Sequence, residues 1–401
     1  MNVVVIGNGI SAINFIEAFR KEDTQSSITV FSREAYPAYN RIWLPDAISG
    51  EKNISEIYLK PLVWYEENKI TVELNTIVDK IDKEAKKIYI YKKGNSPESG
   101  EWVSYDNLII ATGSMPRKLP YENPNVKGMF CLRTYEDVLE IREYIRTNNC
   151  KHAAVIGGGL LGLELANSLK KLNISVTVIE IFKYLLPKQL DPEGGSILQN
   201  YLERKGLEFI LGATVKKVLG EKKVEGILLD NGRIIHSDLV FQQVGIIPEI
   251  ELAKKSGIKT NNGIIVDDHL QTSDPNILAI GDCVEHNGKI YGIIPACLDQ
   301  AKCAAKIVLG KPDSYTGTTP KNMLKVAGIS MMSIGSINAS DIPNLAEYYH
   351  ENRDEFLYRK GLVSGNTLVG AILLGKFDIG YFNKKINKEV DVEELKKYVN
   401  E

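Results

Sequence analysis

The chain has 401 residues, with 49 lysines and arginines against 51 aspartates and glutamates, for a formal net charge of −2. That length allows two or three domains with a substantial core, and the balanced charge gives no reason to expect a nucleic-acid partner. No apolar run approaches the roughly 20 residues needed to span a bilayer, and the first predicted strand starts beside Met1, so no membrane attachment, no leader and a cytoplasmic location are expected.

An apolar strand over residues 3–6 runs into Gly7-Asn8-Gly9-Ile10-Ser11-Ala12, which opens an apolar helix. In such a turn the first glycine makes the tight bend and the second lets the backbone approach a pyrophosphate. The third position must be small so that helix and strand can pack, and Ala12 is. The phosphates then lie at the positive end of the helix dipole, against unpaired N–H groups. An acid that bonds a ribose hydroxyl should follow about 20 residues later. Here the strand over residues 28–31 runs into Ser32, Arg33 and Glu34, so the acid comes late and an arginine stands beside it.

A polar, lysine-rich stretch follows, with a strand pattern at residues 87–91 and a turn at Gly94-Asn95-Ser96-Pro97. It ends in a buried parallel-type strand, Leu108-Ile109-Ile110, that runs into Ala111-Thr112-Gly113. After a loop rich in proline and asparagine, and a helix at residues 135–146, the opening pattern returns. A strand at residues 153–156 enters Gly157-Gly158-Gly159-Leu160-Leu161-Gly162, and the next strand, residues 175–179, ends in Glu180 where the ribose acid is expected. A helix at 191–205, strands at 208–210 and 225–229, and a crossing strand at 239–244 ending at Gly245 come next. Another apolar strand is closed by Ile280-Gly281-Asp282, and an alanine-rich helix covers residues 296–309. From about residue 314 the pattern is β-rich, with strands at 325–334, 355–363 and 367–374 and a charged helix at 392–399. Cys131, Cys150, Cys283, Cys297 and Cys303 form no Cys-x-x-Cys pair, so no metal site or thioredoxin-like couple is indicated and buried free thiols are expected. His350, the one histidine of this last stretch, is expected to be exposed.

The order of these four motifs, Gly7 to Ala12, Ala111 to Gly113, Gly157 to Glu164 and Ile280 to Asp282, resembles the FAD-dependent pyridine nucleotide-disulfide oxidoreductase superfamily along essentially the whole chain. The resemblance implies two Rossmann-like, three-layer ββα nucleotide-binding domains and a small α+β C-terminal domain. Residues 1–112 and 242–313 would bind FAD, 113–241 the nicotinamide nucleotide, and 314–401 would form the interface-like domain. It implies that Gly7, Gly9, Ile10, Ser11 and Ala12 hold the FAD pyrophosphate, with Ser32, Arg33, Glu34, Asn40 and Arg41 also on that cofactor. Ala111, Thr112, Gly113, Gly281 and Asp282 would complete the FAD site. Gly157, Gly159, Leu160, Leu161 and Gly162, with Glu180 and Gly245, would hold NADH. Glu164 reads either as an ordinary acid in the first turns of a helix or, by the resemblance, as the catalytic-site carboxylate near the nicotinamide–flavin stack.

Residues 13–60 hold no cysteine, and Arg41 stands where single-cysteine relatives place a thiol. The segments Pro37 to Arg41, Trp64 to Asn68, Leu132 to Thr134, Leu186 to Asp191 and Ile294 to Ala301 resemble NADH:rubredoxin oxidoreductases and, equally, the N-terminal part of nitrite reductase large subunits. The chain departs from many such relatives at Asp46, where a lysine is common, and lacks the cysteine clusters for an iron–sulfur centre and sirohaem. The expectation is therefore an enzyme that passes electrons from NADH through FAD to a small carrier such as rubredoxin, as a monomer or homodimer, without a redox-active disulfide. Lys321, Lys325, Lys384 and Lys385 are candidates for meeting an acidic partner. Glu180 favours NADH, because a carboxylate repels the 2′-phosphate of NADPH, while Lys183 opposes it. An NADH oxidase, a ferredoxin reductase component and a non-catalytic NADH-sensing flavoprotein are the alternatives.

Overall fold

A computed structural model describes residues 1–122, 126–337, 340 and 342–400; residues 123–125 of the proline- and asparagine-rich loop lie outside the described residues. The chain forms two compact units, one of residues 1–41, 53–115 and 246–318, the other of residues 42–52, 116–245 and 319–401.

The first unit is built on a five-stranded parallel sheet in the order Ile277–Ala279, Asn107–Ile110, Asn2–Ile6, Ser27–Phe31, Ile70–Glu73. Val3, Val4 and Val5 are consecutive and all fully buried, the signature of a parallel strand covered on both faces. Helices Ile10–Arg20 and Ile294–Val308 pack together, while Ile81, Ile88 and Ile90 of the antiparallel sheet Thr76–Asp82, Lys87–Lys92, Glu101–Ser104 join the same core.

The second unit repeats the plan. Its parallel sheet runs Glu208–Leu211, Ser175–Glu180, His152–Ile156, Leu239–Gln242, Met129–Phe130, and an antiparallel sheet of Val215–Leu219, Gly226–Leu229 and Ile234–His236 shares its core. In both sheets the strand feeding the glycine turn is central. The next strand of the β-α-β unit lies on one side and a later strand on the other, so the strand order reverses at the turn, which is where open α/β sheets bind ligands. The helix Tyr135–Asn148 starts at a capping box made by Thr134 and Asp137, which accounts for the Leu132-Arg133-Thr134 segment.

The α+β part of this unit is an antiparallel sheet in the order Lys321–Val326, Ile329–Gly335, Thr367–Leu374, Leu357–Ser364, Leu345–Asn352, with helices Ile379–Lys385 and Val392–Asn400 completing its core. The fold class is the one the resemblance implied. Three details differ. The expected strand over residues 325–334 is two strands, because Ala327 (φ +50°) and Gly328 (φ +93°) form a two-residue hairpin turn. The strand Leu345–Asn352 was not expected, since its run of Glu347, Tyr348, Tyr349, His350 and Glu351 lacks an apolar face; it is an edge strand, and His350 is half-buried on it. Four cysteines are buried as expected, but Cys131 is only half-buried.

Ala327 holds a backbone conformation that costs an L-residue roughly 1 kcal/mol and that asparagine tolerates. Ala327→Asn is therefore expected to stabilise the C-terminal sheet by up to about 1 kcal/mol, read as a higher thermal midpoint; an unchanged or lower midpoint would contradict the turn assignment.

Candidate functional site

At the first turn Gly7 (φ +105°) lies against the neighbouring strand so closely that a Cβ would sit 2.2 Å from the Ala111 carbonyl oxygen. Gly9 has open space on its Cβ side. It also starts the helix Ile10–Arg20 without a side-chain cap and without an acid in the first turn, so the N–H groups there are available to an anion. The Asn8 side chain is fixed by Tyr65, whose hydroxyl donates to Asn8 Oδ1 at 2.9 Å, and the Asn8 Nδ2 donor is buried without a partner among the described residues. A buried donor left unpaired costs about 1–3 kcal/mol, which a phosphate or carbonyl acceptor on a ligand would relieve.

Ala111 and Thr112-Gly113 lie beside this turn, with the Thr112 hydroxyl donating to the Glu249 carbonyl at 2.8 Å. Gly281 (φ +87°) touches Ser11, since a Cβ there would be 2.4 Å from Ser11 Oγ. Its N–H donates to the buried Gln300 side chain at 2.7 Å, which explains Gln300 in the Ile294 to Ala301 segment. Asp282 accepts from the Ser114 hydroxyl at 2.9 Å. The structure thus gathers Gly7, Gly9, Ile10, Ser11, Ala12, Ala111, Thr112, Gly113, Gly281 and Asp282 around one strand-end crevice.

The segment after the second strand is arranged differently from a bare ribose acid. Glu34 pairs with Arg41 and accepts from the Tyr39 hydroxyl. Burial works to raise its carboxyl, but the Arg41 charge and these bonds prevail and hold it below the usual carboxylate range. Arg33 turns away to Glu249, at 3.3 Å. Ser32 is buried, its hydroxyl accepting from the Glu34 N–H at 3.3 Å, and the Asn40 N–H donates to the Ile57 carbonyl at 2.8 Å.

The second turn is built by the same contacts. Gly157 (φ +110°) leaves no room for a Cβ, which would lie 2.3 Å from the Gln243 carbonyl oxygen; Gly162 packs on Gly157, a Cβ there falling 2.1 Å from its carbonyl oxygen; Gly159 is open. The helix Leu160–Lys171 again starts without a side-chain cap or a first-turn acid. Glu180, 7% exposed, accepts from the Gly158 N–H at 2.7 Å and from the Phe182 N–H at 3.1 Å, so its carboxylate is fixed against the turn. Gln243 Nε2 is a buried donor without a partner among the described residues, as Asn8 Nδ2 is at the first turn. Gly245 (φ +98°) is open on its Cβ side. Open glycines, uncapped helix starts and orphaned amides fit a dinucleotide at each turn. Asn8 and Gln243 were not singled out in the sequence. Comparing the two repeats position by position would have flagged Gln243, a polar residue where the first repeat has Ala111.

Glu164 lies on the helix beyond this turn, and its carboxyl has no hydrogen bond or ion pair among the described residues. Burial, and then the nearby Asp46, push it up to about 8. Asp46 belongs to the short helix Leu44–Ser49, where Lys171 Nζ stands 3.8 Å from Asp46 and 2.6 Å from Glu51.

The pyridine nucleotide-disulphide oxidoreductase family model matches residues 1–304, and the model of the rubredoxin NAD+ reductase C-terminal domain matches residues 320–389. The chain belongs to the pyridine nucleotide-disulphide oxidoreductase family. With it the chain joins the flavoprotein oxidoreductases that use FAD and NADH. It is 38% identical over 98% of its length to a nitrite reductase [NAD(P)H] of Bacillus subtilis (strain 168), covering 48% of that protein. It is 32% identical to an NADH oxidase of Methanocaldococcus jannaschii, covering 98% of this chain and 93% of the other. Among solved structures, NADH:rubredoxin oxidoreductase from Clostridium acetobutylicum superposes with a TM-score of 0.78 at 29% identity, over 97% of this chain and 94% of that one. The chain spans about half the length of the first two curated relatives it matches.

In this family member several segments that carried the resemblance have structural work. Asp191 caps the helix Pro192–Arg204 and accepts from Tyr358 at 2.7 Å and Lys360 at 3.0 Å. Of the lysines considered for a partner, Lys321 donates to Asn383 at 2.8 Å and Lys385 pairs with Glu394 at 3.2 Å.

The Arg41–Glu34 pair gives a pH test. A carboxyl held below its unfolded value contributes stability above that value and loses it as pH falls towards the folded one. Arg41→Met should therefore cost about 2 kcal/mol at neutral pH, with the difference from wild type shrinking below about pH 4. Urea unfolding at the two pH values checks this; a pH-independent difference would remove the ion pair as its cause.

Proposed function

We propose that this chain takes FAD at the first turn and NADH at the second and passes electrons to a small carrier protein of the rubredoxin kind, without a disulfide relay. The reading follows a division into a flavin domain (1–112 and 242–313), a nicotinamide domain (113–241) and a C-terminal domain (314–401). The observation that carries it is the doubled cradle, in which each glycine turn pairs an uncapped helix start with an orphaned buried amide.

Hydride acceptance and stepwise electron release are the chemistry that FAD supplies when bound. The residues of this chain bind and orient. Gly7, Gly9, Ile10, Ser11 and Ala12 take the FAD pyrophosphate, and Asp282 takes a hydroxyl of the same cofactor. Thr112 and Gly113 border it, and Arg41, Glu34 and Asn40 form the wall after the second strand. Gly157, Gly159, Leu160, Leu161 and Gly162 take the NADH pyrophosphate, and Glu180 takes the adenosine ribose. Glu164 lies by the nicotinamide. The thiols give no relay: burial, above all, pushes Cys297 up to about 12 and Cys150 and Cys303 to about 11. All three are therefore protonated and poorly nucleophilic at neutral pH.

Rubredoxin as acceptor is supported by the C-terminal match to the rubredoxin NAD+ reductase domain and by the name of the Clostridium acetobutylicum protein. A second reading, direct reduction of oxygen, is supported by the Methanocaldococcus jannaschii relative named an NADH oxidase. Anaerobic reduction by NADH followed by mixing with rubredoxin, ferredoxin or oxygen separates them; fastest reoxidation by rubredoxin is expected, and fastest reoxidation by oxygen would favour the second reading.

Two further outcomes follow from the turns. Gly7→Ala should lose FAD, whereas Gly162→Ala should retain FAD and weaken NAD+ binding by at least about tenfold, measured by flavin content and calorimetry. Retained FAD in the first variant would contradict the assignment. Glu180→Ala should raise the ratio of kcat/KM for NADPH over NADH by about tenfold; an unchanged ratio would remove Glu180 from the ribose.

A further inference from the structure

Glu164 stands out among the ionisable groups of the second unit because no side chain among the described residues neutralises it. The helix carrying it packs against the helix Leu44–Ser49 and the strands His152–Ile156, Ser175–Glu180 and Lys321–Val326. From the short helix, Asp46 faces Glu164 with the same charge. Lys171, the cation nearest in the cluster, sits seven residues further along, roughly 10 Å down the helix, where it is shared between Asp46 and Glu51. Lys52 lies over the Trp43 ring at 4.7 Å. On the strands, His152 is exposed at the first residue of its strand, Glu180 is bound to two backbone N–H groups, Lys321 donates to Asn383 and Lys325 is exposed. Glu164 is thus a largely buried acid with an anion beside it and, among the described residues, no cation of its own.

We propose that Glu164 couples nicotinamide redox state to a proton: it is a neutral acid in the nucleotide-free chain and gives its proton to solvent when a positively charged nicotinamide ring binds beside it. The oxidised ring of NAD+ supplies the missing counter-charge and favours the carboxylate. The reduced ring is uncharged and leaves the acid protonated. NAD+ then binds with release of a proton and NADH without one, so oxidised product leaves most readily below the pH at which the free acid ionises. The elevation of the Glu164 carboxyl by burial and Asp46 is the environment this coupling needs. By linkage, whatever ionises with ligand binding must make the ligand affinity depend on pH. The proposal rests on the second turn being the NADH site and on Glu164 lying by the nicotinamide, as proposed above.

The test uses the FAD-loaded chain and calorimetric titration with NAD+ and with 1,4,5,6-tetrahydronicotinamide adenine dinucleotide, an uncharged ring that cannot deliver hydride. Titrations in two buffers of different ionisation heat count protons directly. NAD+ affinity is expected to rise about tenfold between about pH 7 and about pH 9 and then level off, with nearly one proton released at neutral pH. The tetrahydro analogue should show neither effect. Glu164→Gln should abolish both the pH dependence and the proton release, and Asp46→Asn should move the rise to lower pH. Flat, proton-neutral binding of NAD+ to the wild-type chain would overturn the proposal and leave the site reading standing, as would proton release that survives in Glu164→Gln. Failure of both nucleotides to bind would overturn the site reading and the proposal with it.

Discussion

Both glycine turns depend on one contact, the approach of a glycine backbone to a carbonyl oxygen on the adjoining strand. Gly7 meets Ala111 and Gly157 meets Gln243 at distances that leave no room for a side chain. The contact fixes where the central strand ends, where the helix begins and how closely a third strand follows. Because all three strands are parallel, their carboxyl ends lie at the same edge as the positive end of the helix. The uncapped helix N–H groups and the acid after the second strand are brought to one place by that convergence.

The two repeats share the backbone solution and differ in how they handle charge. At the second turn Glu180 is held by the N–H groups of Gly158 and Phe182 and so stays beside the turn. At the first, Glu34 is drawn to Arg41 and Tyr39, and Arg33 to Glu249. One fold motif thus offers a carboxylate at one cradle and a neutralised pair at the other. Two cysteines line the first crevice, Cys297 donating to Asp282 at 3.7 Å and Cys283 to the Ile280 carbonyl at 3.3 Å, and burial raises both thiols, which favours the protonated form.

The glycine turns, the parallel strands and Glu180 were legible in the sequence because each depends on residues close together in the chain. A run such as Val3-Val4-Val5 has one stable home, and a glycine before an uncapped helix has one geometry. The partner of Glu34 was not legible, because Arg33 and Arg41 are both near in sequence and only the path of the loop decides between them. Asp46 stands beside Glu164, 118 positions away in the chain, through packing of two helices that no local pattern announces. The hairpin at Ala327-Gly328 hid because alanine is an unusual residue at a positive φ. The edge strand Leu345–Asn352 hid because a strand with one polar face and two tyrosines lacks the apolar alternation that marks a strand.

The central claim is that flavin is the chain's one redox centre between NADH and the acceptor. Its most direct test is an anaerobic titration of the FAD-loaded chain with NADH, following flavin absorbance. One equivalent of NADH per flavin should bleach it completely, with all five thiols titratable in denaturant both before and after. A requirement for a second equivalent, or the appearance of new thiols on reduction, would reveal a disulfide in the path and contradict the claim.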